Sequence, residues 1–119
     1  MLPATTYEVT DSFGRTRLAD SINEYNFALA LHAEGKRFWF QYEVQGGHSL
    51  KGGAVVDFLV YNPFREAVDI EAAYWHRDTA DERFRDAIVE AFLGRPIIKV
   101  TDTETETVEA ARRAVKRYL

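Results

Sequence analysis

The sequence contains no cysteine, which excludes disulfides and thiolate zinc sites. No apolar run approaches the roughly 20 residues that a membrane-spanning helix needs. The N-terminal stretch MLPATTYEVTDS also lacks the basic start and apolar middle of a signal peptide. Together these absences predict a soluble cytoplasmic protein that does not associate with a membrane.

An excess of basic residues is missing as well. The chain has 15 Lys and Arg against 19 Asp and Glu, for a net charge of −4 and a pI near 5.4. This balance argues against a strongly basic nucleic-acid coat, whose affinity comes from neutralising phosphates. It does not exclude a DNA enzyme, which needs an acidic metal centre and only a local basic rim. With 119 residues, 46% of them hydrophobic, the chain is expected to form one domain over 1–119.

Apolar spacing predicts an alternation of helices and strands. Ser21 followed by Glu24 fits a capping box at the start of an apolar stripe with helical spacing. After a short or irregular lead-in over 1–18, the expected helices are 21–34, 80–94 and one within 108–119, and the expected strands are 37–44, 54–62, 66–75 and 96–100. The glycine-rich segment 45–53 is predicted to be a hairpin loop.

These elements predict an α/β fold, with the order helix, three-stranded meander, helix, strand, helix. Short connections favour antiparallel pairing of the first three strands, and the helix before the last strand favours a parallel or mixed crossover. We therefore expect a mixed central sheet flanked by helices.

Three acidic residues stand in or beside the most apolar runs, VVDFLVYN and EAVDIE. Asp69 and Glu71 share one face of their predicted strand because side chains alternate faces. A hairpin around Asn62-Pro63 pairs position 57 with about position 69, so Asp57 joins them. Three adjacent carboxylates repel one another unless a cation neutralises them, and Mg²⁺ prefers such oxygen ligands. The alternative is that Asp69 and Glu71 lie on a solvated strand face.

The chain resembles the PD-(D/E)XK endonucleases in this pattern: an Asp, a dozen residues, and then a second acid on an adjacent strand. The stretches VVDFLVYNP, EAAYWH and RFRDAIVEAFLGRPIIKV are similar to the branch of very-short-patch repair endonucleases and small bacterial and phage nuclease domains. The resemblance covers about 20–118. It implies a restriction-endonuclease-like core, in a bacterial cell or a phage-infected host.

The resemblance also implies roles for single residues. Asp57 and Asp69 would hold the metal, and Glu71 stands where the family most often has lysine. His76 would move protons at the site, and Glu24 would lie near the metal from the first helix. Basic or polar side chains near the site are expected to touch phosphates: His48, Lys51, Arg83 and Arg85.

The sequence therefore predicts a DNA endonuclease that uses Mg²⁺ or Mn²⁺ held by Asp57, Asp69 and Glu71, and that could act as a homodimer. The alternative is a catalytically inactive protein of nuclease fold that serves as a phage or host interaction, regulatory or structural module. Blander roles remain open for the individual residues. Glu24 could only cap its helix, and Arg83 and Arg85 could only pair with acids of their own helix.

Overall fold

The computed structural model describes residues 7–44, 54–73 and 79–119. Its strands are β1 (Glu8–Thr10), β2 (Thr16–Leu18), β3 (Arg37–Val44), β4 (Ala54–Asn62), β5 (Phe64–Glu71) and β6 (Ile98–Thr101). Its helices are α1 (Ile22–Ala33), α2 (Ala80–Leu93) and α3 (Val108–Tyr118), with a 3₁₀ turn at Asp102–Thr105. No helix in these ranges combines the length and the apolar character that a bilayer crossing requires.

The main sheet has the order β3-β4-β5-β6, and β1 and β2 form a separate hairpin. The β3–β4 and β4–β5 pairs are antiparallel, while β5 and β6 run parallel because α2 carries the chain back between them. The predicted α/β fold with a mixed sheet and three helices is therefore confirmed.

Two apolar cores lie on the two faces of this sheet. Phe38 and Phe58 belong to the core that α1 and α3 cover, and it includes Phe27 and Val115 from those helices. The other core lies under α2 and is centred on Val89. Helices thus cover both faces, as the sequence predicted.

Local chemistry sets where the helices begin and end. The hydroxyl of Ser21 accepts a hydrogen bond from the Glu24 amide at 3.2 Å, and Thr79 and Thr107 cap α2 and α3 in the same way. Helix α2 ends at Gly94, whose φ of 71° is costly for residues with a Cβ. The predicted helix bounds are right to within one residue at each end of α1 and α2.

Strand β5 and the chain start differ from the prediction. The predicted third strand was 66–75, but β5 covers Phe64–Glu71. The β4–β5 register brings Asn62 opposite Phe64, so Pro63 alone forms the turn and β5 begins at once. Ala72 and Ala73 lie beyond β5, and the rest of the predicted strand, 74–75, lies outside the described residues. The predicted irregular lead-in contains the regular β1–β2 hairpin.

A buried carboxylate ties this hairpin to the sheet. Asp11 is 3% exposed. Its Oδ1 accepts hydrogen bonds from the amides of Phe13 and Arg15, at 2.9 and 3.1 Å. Its Oδ2 accepts from the Phe40 amide of β3 at 3.2 Å and from the Arg15 guanidinium at 3.3 Å. One side chain therefore closes the hairpin turn and fixes its position against β3.

We expect Asp11→Ala to lower the free energy of unfolding by about 3 kcal/mol, because it leaves buried amides without an acceptor. Urea denaturation followed by circular dichroism measures the change. Glu8→Ala is the matched control, since Glu8 is an exposed acid on the same hairpin. Equal losses in the two variants would contradict the role assigned to Asp11.

Candidate active site

Asp57 and Asp69 meet where the β4–β5 ladder ends. The last ladder pair is Phe58 with Val68, and one step beyond it the two aspartates replace the backbone contacts. The Asp57 amide donates to Asp69 Oδ1 at 3.1 Å, and the Ile70 amide donates to Asp57 Oδ2 at 2.8 Å. The predicted pairing of position 57 with position 69 is therefore right, and the carboxylates themselves hold the two strands in register here.

The backbone beside Asp57 is distorted. Gln41 lies across from it on β3, between the pairs Phe40–Phe58 and Tyr42–Val56, and has a φ of 53°. Residues two apart on a strand normally share a face. Phe58 nevertheless packs in the core of α1 and α3, while Val56 packs in the core under α2. The alternation of β4 side chains between the two cores is thus shifted at Asp57. Strained non-glycine backbone such as that of Gln41 clusters at functional sites.

A third carboxyl group approaches from α1. Glu24 is 7% exposed, and burial together with the charges of Asp57 and Asp20 raises its pKa to about 8. Burial and the charge of Asp69 likewise raise the pKa of Asp57 to about 7. Both groups are therefore costly to ionise in this site, as closely spaced acids are when no cation neutralises them.

Arg85 and Lys99 bring positive charge to the same place. Arg85, from α2, donates to both carboxylate oxygens of Asp69 and to Asp86 at 2.9 Å. The Lys99 ammonium lies 3.5 Å from Asp69, 3.2 Å from Glu71 and 3.0 Å from Asp86. The site therefore combines carboxylates and cations within hydrogen-bonding distance of one another.

Lys99 was not among the predicted site residues. The parallel β5–β6 register sets it beside Asp69. Burial alone would lower the pKa of Lys99, but Asp69, Asp86 and Glu71 outweigh burial and raise it above its usual value. Lys99 is consequently a permanent ammonium and not a base. The stretch PIIKV contained the signal, but the partner of Lys99 depended on a crossover register that the sequence does not specify.

Two open pockets adjoin Asp57. The site pocket, of about 210 Å³, is lined by Asp57, Asp69, Ile70, Glu71, Glu82, Arg85 and Lys99. The hairpin pocket, of about 340 Å³, is lined by Arg17, Asp20, Gln41, Val55 and Asp57. Because Asp57 lines both, the two pockets adjoin at this residue, and we call them together the groove. Arg17, Asp20 and Gln41 carried no motif in the sequence that would have drawn attention to them.

Of the remaining predicted site residues, three lie outside the described part of the chain and two lie on α2. His48, Lys51 and His76 lie outside the described residues. Arg83 is exposed on α2. Arg85 was expected to touch phosphate. Its guanidinium contacts Asp69 and Asp86. Asp86 is an acid of the same helix, so this contact fits the alternative expectation for Arg85.

The expected set of three metal ligands is only partly assembled. Asp57 and Asp69 are joined by hydrogen bonds, but Glu71 contacts Lys99. Within 7–44, 54–73 and 79–119, no three His, Asp or Glu side chains converge in an arrangement that could hold a metal ion. The groups that contact the Asp69 carboxylate are the backbone amide of Asp57 and the cations of Arg85 and Lys99.

Comparison with known proteins gives no match: no family model, no curated protein and no solved structure is similar to this chain.

Stability should fall as pH rises, because Glu24 titrates near 4.5 when unfolded and at about 8 when folded. Between these values the unfolded chain binds fewer protons than the folded protein does. Glu24→Gln removes the cost of ionising a buried group. In buffer that contains a metal chelator, we expect Glu24→Gln to raise the free energy of unfolding by about 3 kcal/mol near pH 8.

Near pH 4.5 and below, the gain should largely vanish, because the Glu24 carboxyl is then protonated in the folded protein and increasingly so in the unfolded chain. Urea denaturation at both pH values measures the difference. Glu43→Gln, at an exposed glutamate of β3, is the control. A gain that is equal at the two pH values would contradict the assigned environment of Glu24.

Proposed function

We propose that the protein is a metal-dependent DNA endonuclease that hydrolyses phosphodiester bonds in the groove at Asp57. The observation that carries the proposal is the contact of Asp57 with Asp69 at the end of the ladder, beside Lys99. The observed order of helices and strands and the parallel β5–β6 pair support a restriction-endonuclease-like core, which the resemblance implies.

A divalent cation fits the donor chemistry of this site. Among the described residues, Asp57 Oδ1 accepts no hydrogen bond, and the side chain borders both pockets. Asp69 would be the second ligand, and it would have to exchange part of its contact with Arg85. Oxygen-only ligands suit Mg²⁺ or Mn²⁺. When bound, such an ion stabilises charge on phosphoryl oxygens and lowers the pKa of the attacking water.

The raised pKa values of Glu24 and Asp57 support the same proposal. Both result from burial and from repulsion between carboxylates, and a positive ion near Asp57 would relieve that repulsion. In the metal-bound protein Glu24 would ionise and could orient water beside the phosphate. Metal binding should therefore release protons at neutral pH.

Lys99 supplies fixed positive charge. Since its ammonium stays protonated, it would hold a phosphate oxygen or a water and stabilise the negative charge that develops in the transition state. Glu71, at the position where the family most often has lysine, contacts this ammonium at 3.2 Å. The lysine of the site would thus be Lys99 on β6, and Glu71 on β5 would orient its ammonium.

One observation favours the alternative of an inactive, nuclease-like interaction module. Arg85 and Lys99 already form ion pairs with Asp69, Glu71 and Asp86. A closed ion-pair network of this kind can be purely structural. Metal binding distinguishes the two functions. In the nuclease, a metal ion would replace part of the contact between Arg85 and Asp69, whereas the inactive module would not need this replacement.

The cleavage test uses supercoiled, linear, mismatched, branched and single-stranded DNA in Mg²⁺ and in Mn²⁺. We expect at least one substrate to be cut, and Asp57→Asn to abolish cutting because the ligand charge is lost. Asp81→Asn, at an exposed acid of α2, is the control and should cut as the wild type does. Equal cutting by Asp57→Asn and the wild type would rule out this site.

Metal binding has its own readout. Saturating Mg²⁺ or Mn²⁺ at 100 times Kd should stabilise the wild type by about 2.7 kcal/mol, measured as a shift in Tm. Asp57→Asn should lose this metal-induced shift even though its metal-free Tm is higher, because the raised pKa shows that the Asp57 charge is costly when folded. A metal-induced shift that persists in this variant would contradict the ligand assignment.

Lys99→Met should lower kcat by about 100-fold with little change in KM, if the ammonium acts mainly in the transition state. The fold should remain, since Asp69 keeps its contact with Arg85. Lys116→Met on the exposed side of α3 is the control, and Lys99→Arg should recover part of the rate. Wild-type kcat in Lys99→Met would remove Lys99 from the mechanism.

A further inference from the structure

The hairpin pocket is half of the groove at Asp57, and the proposed hydrolysis leaves it without a role. Lys99 and Arg85 line the site pocket but not this one. A nucleic-acid strand whose reacting phosphate lies at Asp57 must leave the site pocket on some path, and the adjoining pocket provides one. Its side chains then decide how the neighbouring nucleotide is held.

Among the described residues that line this pocket, Arg17 is the cation, and most of its N–H donors have no acceptor there. Its Nη1 donates to the Gln41 carbonyl oxygen at 3.4 Å, and in the part of the chain that the structure describes no carboxylate lies within ion-pairing distance of it. The neighbouring Arg15 differs, because its guanidinium is bound to Asp11 and to β3 carbonyls. Arg17 is therefore available to an anion, whereas Arg15 holds the hairpin in place.

The surroundings hold Arg17 at the rim of the groove. The Gln41 carbonyl accepts from both Arg15 and Arg17, and the Gln41 side chain donates to the Leu18 carbonyl at 3.1 Å. The left-handed φ of Gln41 is thus part of the contact between β3 and the β1–β2 hairpin. The Asp11 contacts fix the other end of the same hairpin. A guanidinium that is positioned in advance loses little freedom when it binds a phosphate.

We propose that Arg17 binds the phosphate next to the one that is hydrolysed, so that the substrate strand runs along the groove from the hairpin pocket to the site pocket. This inference rests on the proposed nuclease function and adds a substrate-binding residue to it. A guanidinium suits a phosphodiester because it offers two parallel N–H donors to two oxygens. Asp20 lines the same pocket, and its charge would disfavour a phosphate beside it, so Arg17 is the proposed anchor.

The test uses the best-cut DNA from the cleavage panel and compares wild type, Arg17→Ala and Arg17→Lys. We expect Arg17→Ala to lower kcat/KM about 10-fold and to reduce the salt slope of DNA binding by about one. Arg17→Lys should recover part of kcat/KM. Arg113→Ala, at an exposed arginine of α3, should behave as the wild type. Thermal unfolding checks that each variant folds.

A second measurement varies the DNA. Single neutral methylphosphonates are placed one at a time at the phosphates that flank the cleaved bond. One position should lower wild-type kcat/KM about 10-fold and have no further effect in Arg17→Ala, because both changes remove the same contact. This scan also locates the contact in the wild type if Arg17→Ala fails to fold.

The two proposals fail in different ways. If the wild type cuts DNA and Arg17→Ala cuts it equally well with an unchanged salt slope, the phosphate site at Arg17 is overturned and the nuclease function stands. If the loss of kcat/KM from Arg17→Ala adds to the loss from every single methylphosphonate, the phosphate site at Arg17 is likewise overturned and the nuclease function stands. If the wild type neither binds nor cuts any DNA of the panel, both proposals are overturned.

Discussion

The structure around the site depends on the charge of one buried side chain, Asp69. It is 6% exposed, and an isolated carboxylate at that depth would be strongly destabilising. It is stable here because the Asp57 amide, Arg85 and Lys99 all donate to it. These contacts join β4, β5, α2 and β6 at a single point. Together with burial, the same charge raises the pKa of Asp57, so the side chain that stabilises the fold also changes the protonation of its neighbour.

This constraint explains why acids occur in such apolar stretches. Asp57 and Asp69 take over hydrogen bonds that the backbone would otherwise make, so they extend the β4–β5 pairing past the last ladder pair. Neither side chain needs to be exposed to water to make these hydrogen bonds. The cost appears at Glu24 and Asp57, whose carboxyl pKa values are raised to about 8 and about 7 by burial and by neighbouring carboxylates. In the proposed nuclease, a bound cation would favour the ionised forms of both groups.

Local patterns predicted most of the fold, because α1, α2, β3 and β4 are each encoded by caps, glycines or continuous apolar runs. The pairing of positions 57 and 69 followed from the short Asn62-Pro63 turn, which fixes the register of a hairpin. The role of Lys99 could not be predicted in this way, since parallel register across α2 depends on packing rather than on turn length. The distortion at Gln41 was equally hidden, because nothing about glutamine indicates a positive φ.

The change of core at Asp57 has a consequence for how the site responds to sequence change. Val56, one residue before it, packs under α2, and Phe58, one residue after it, packs against α1 and α3. A substitution in the core under α2 therefore acts on Asp57 through its neighbour Val56, and one in the core of α1 and α3 acts through its other neighbour, Phe58. The position of the Asp57 carboxylate is thus expected to depend on the packing of both cores.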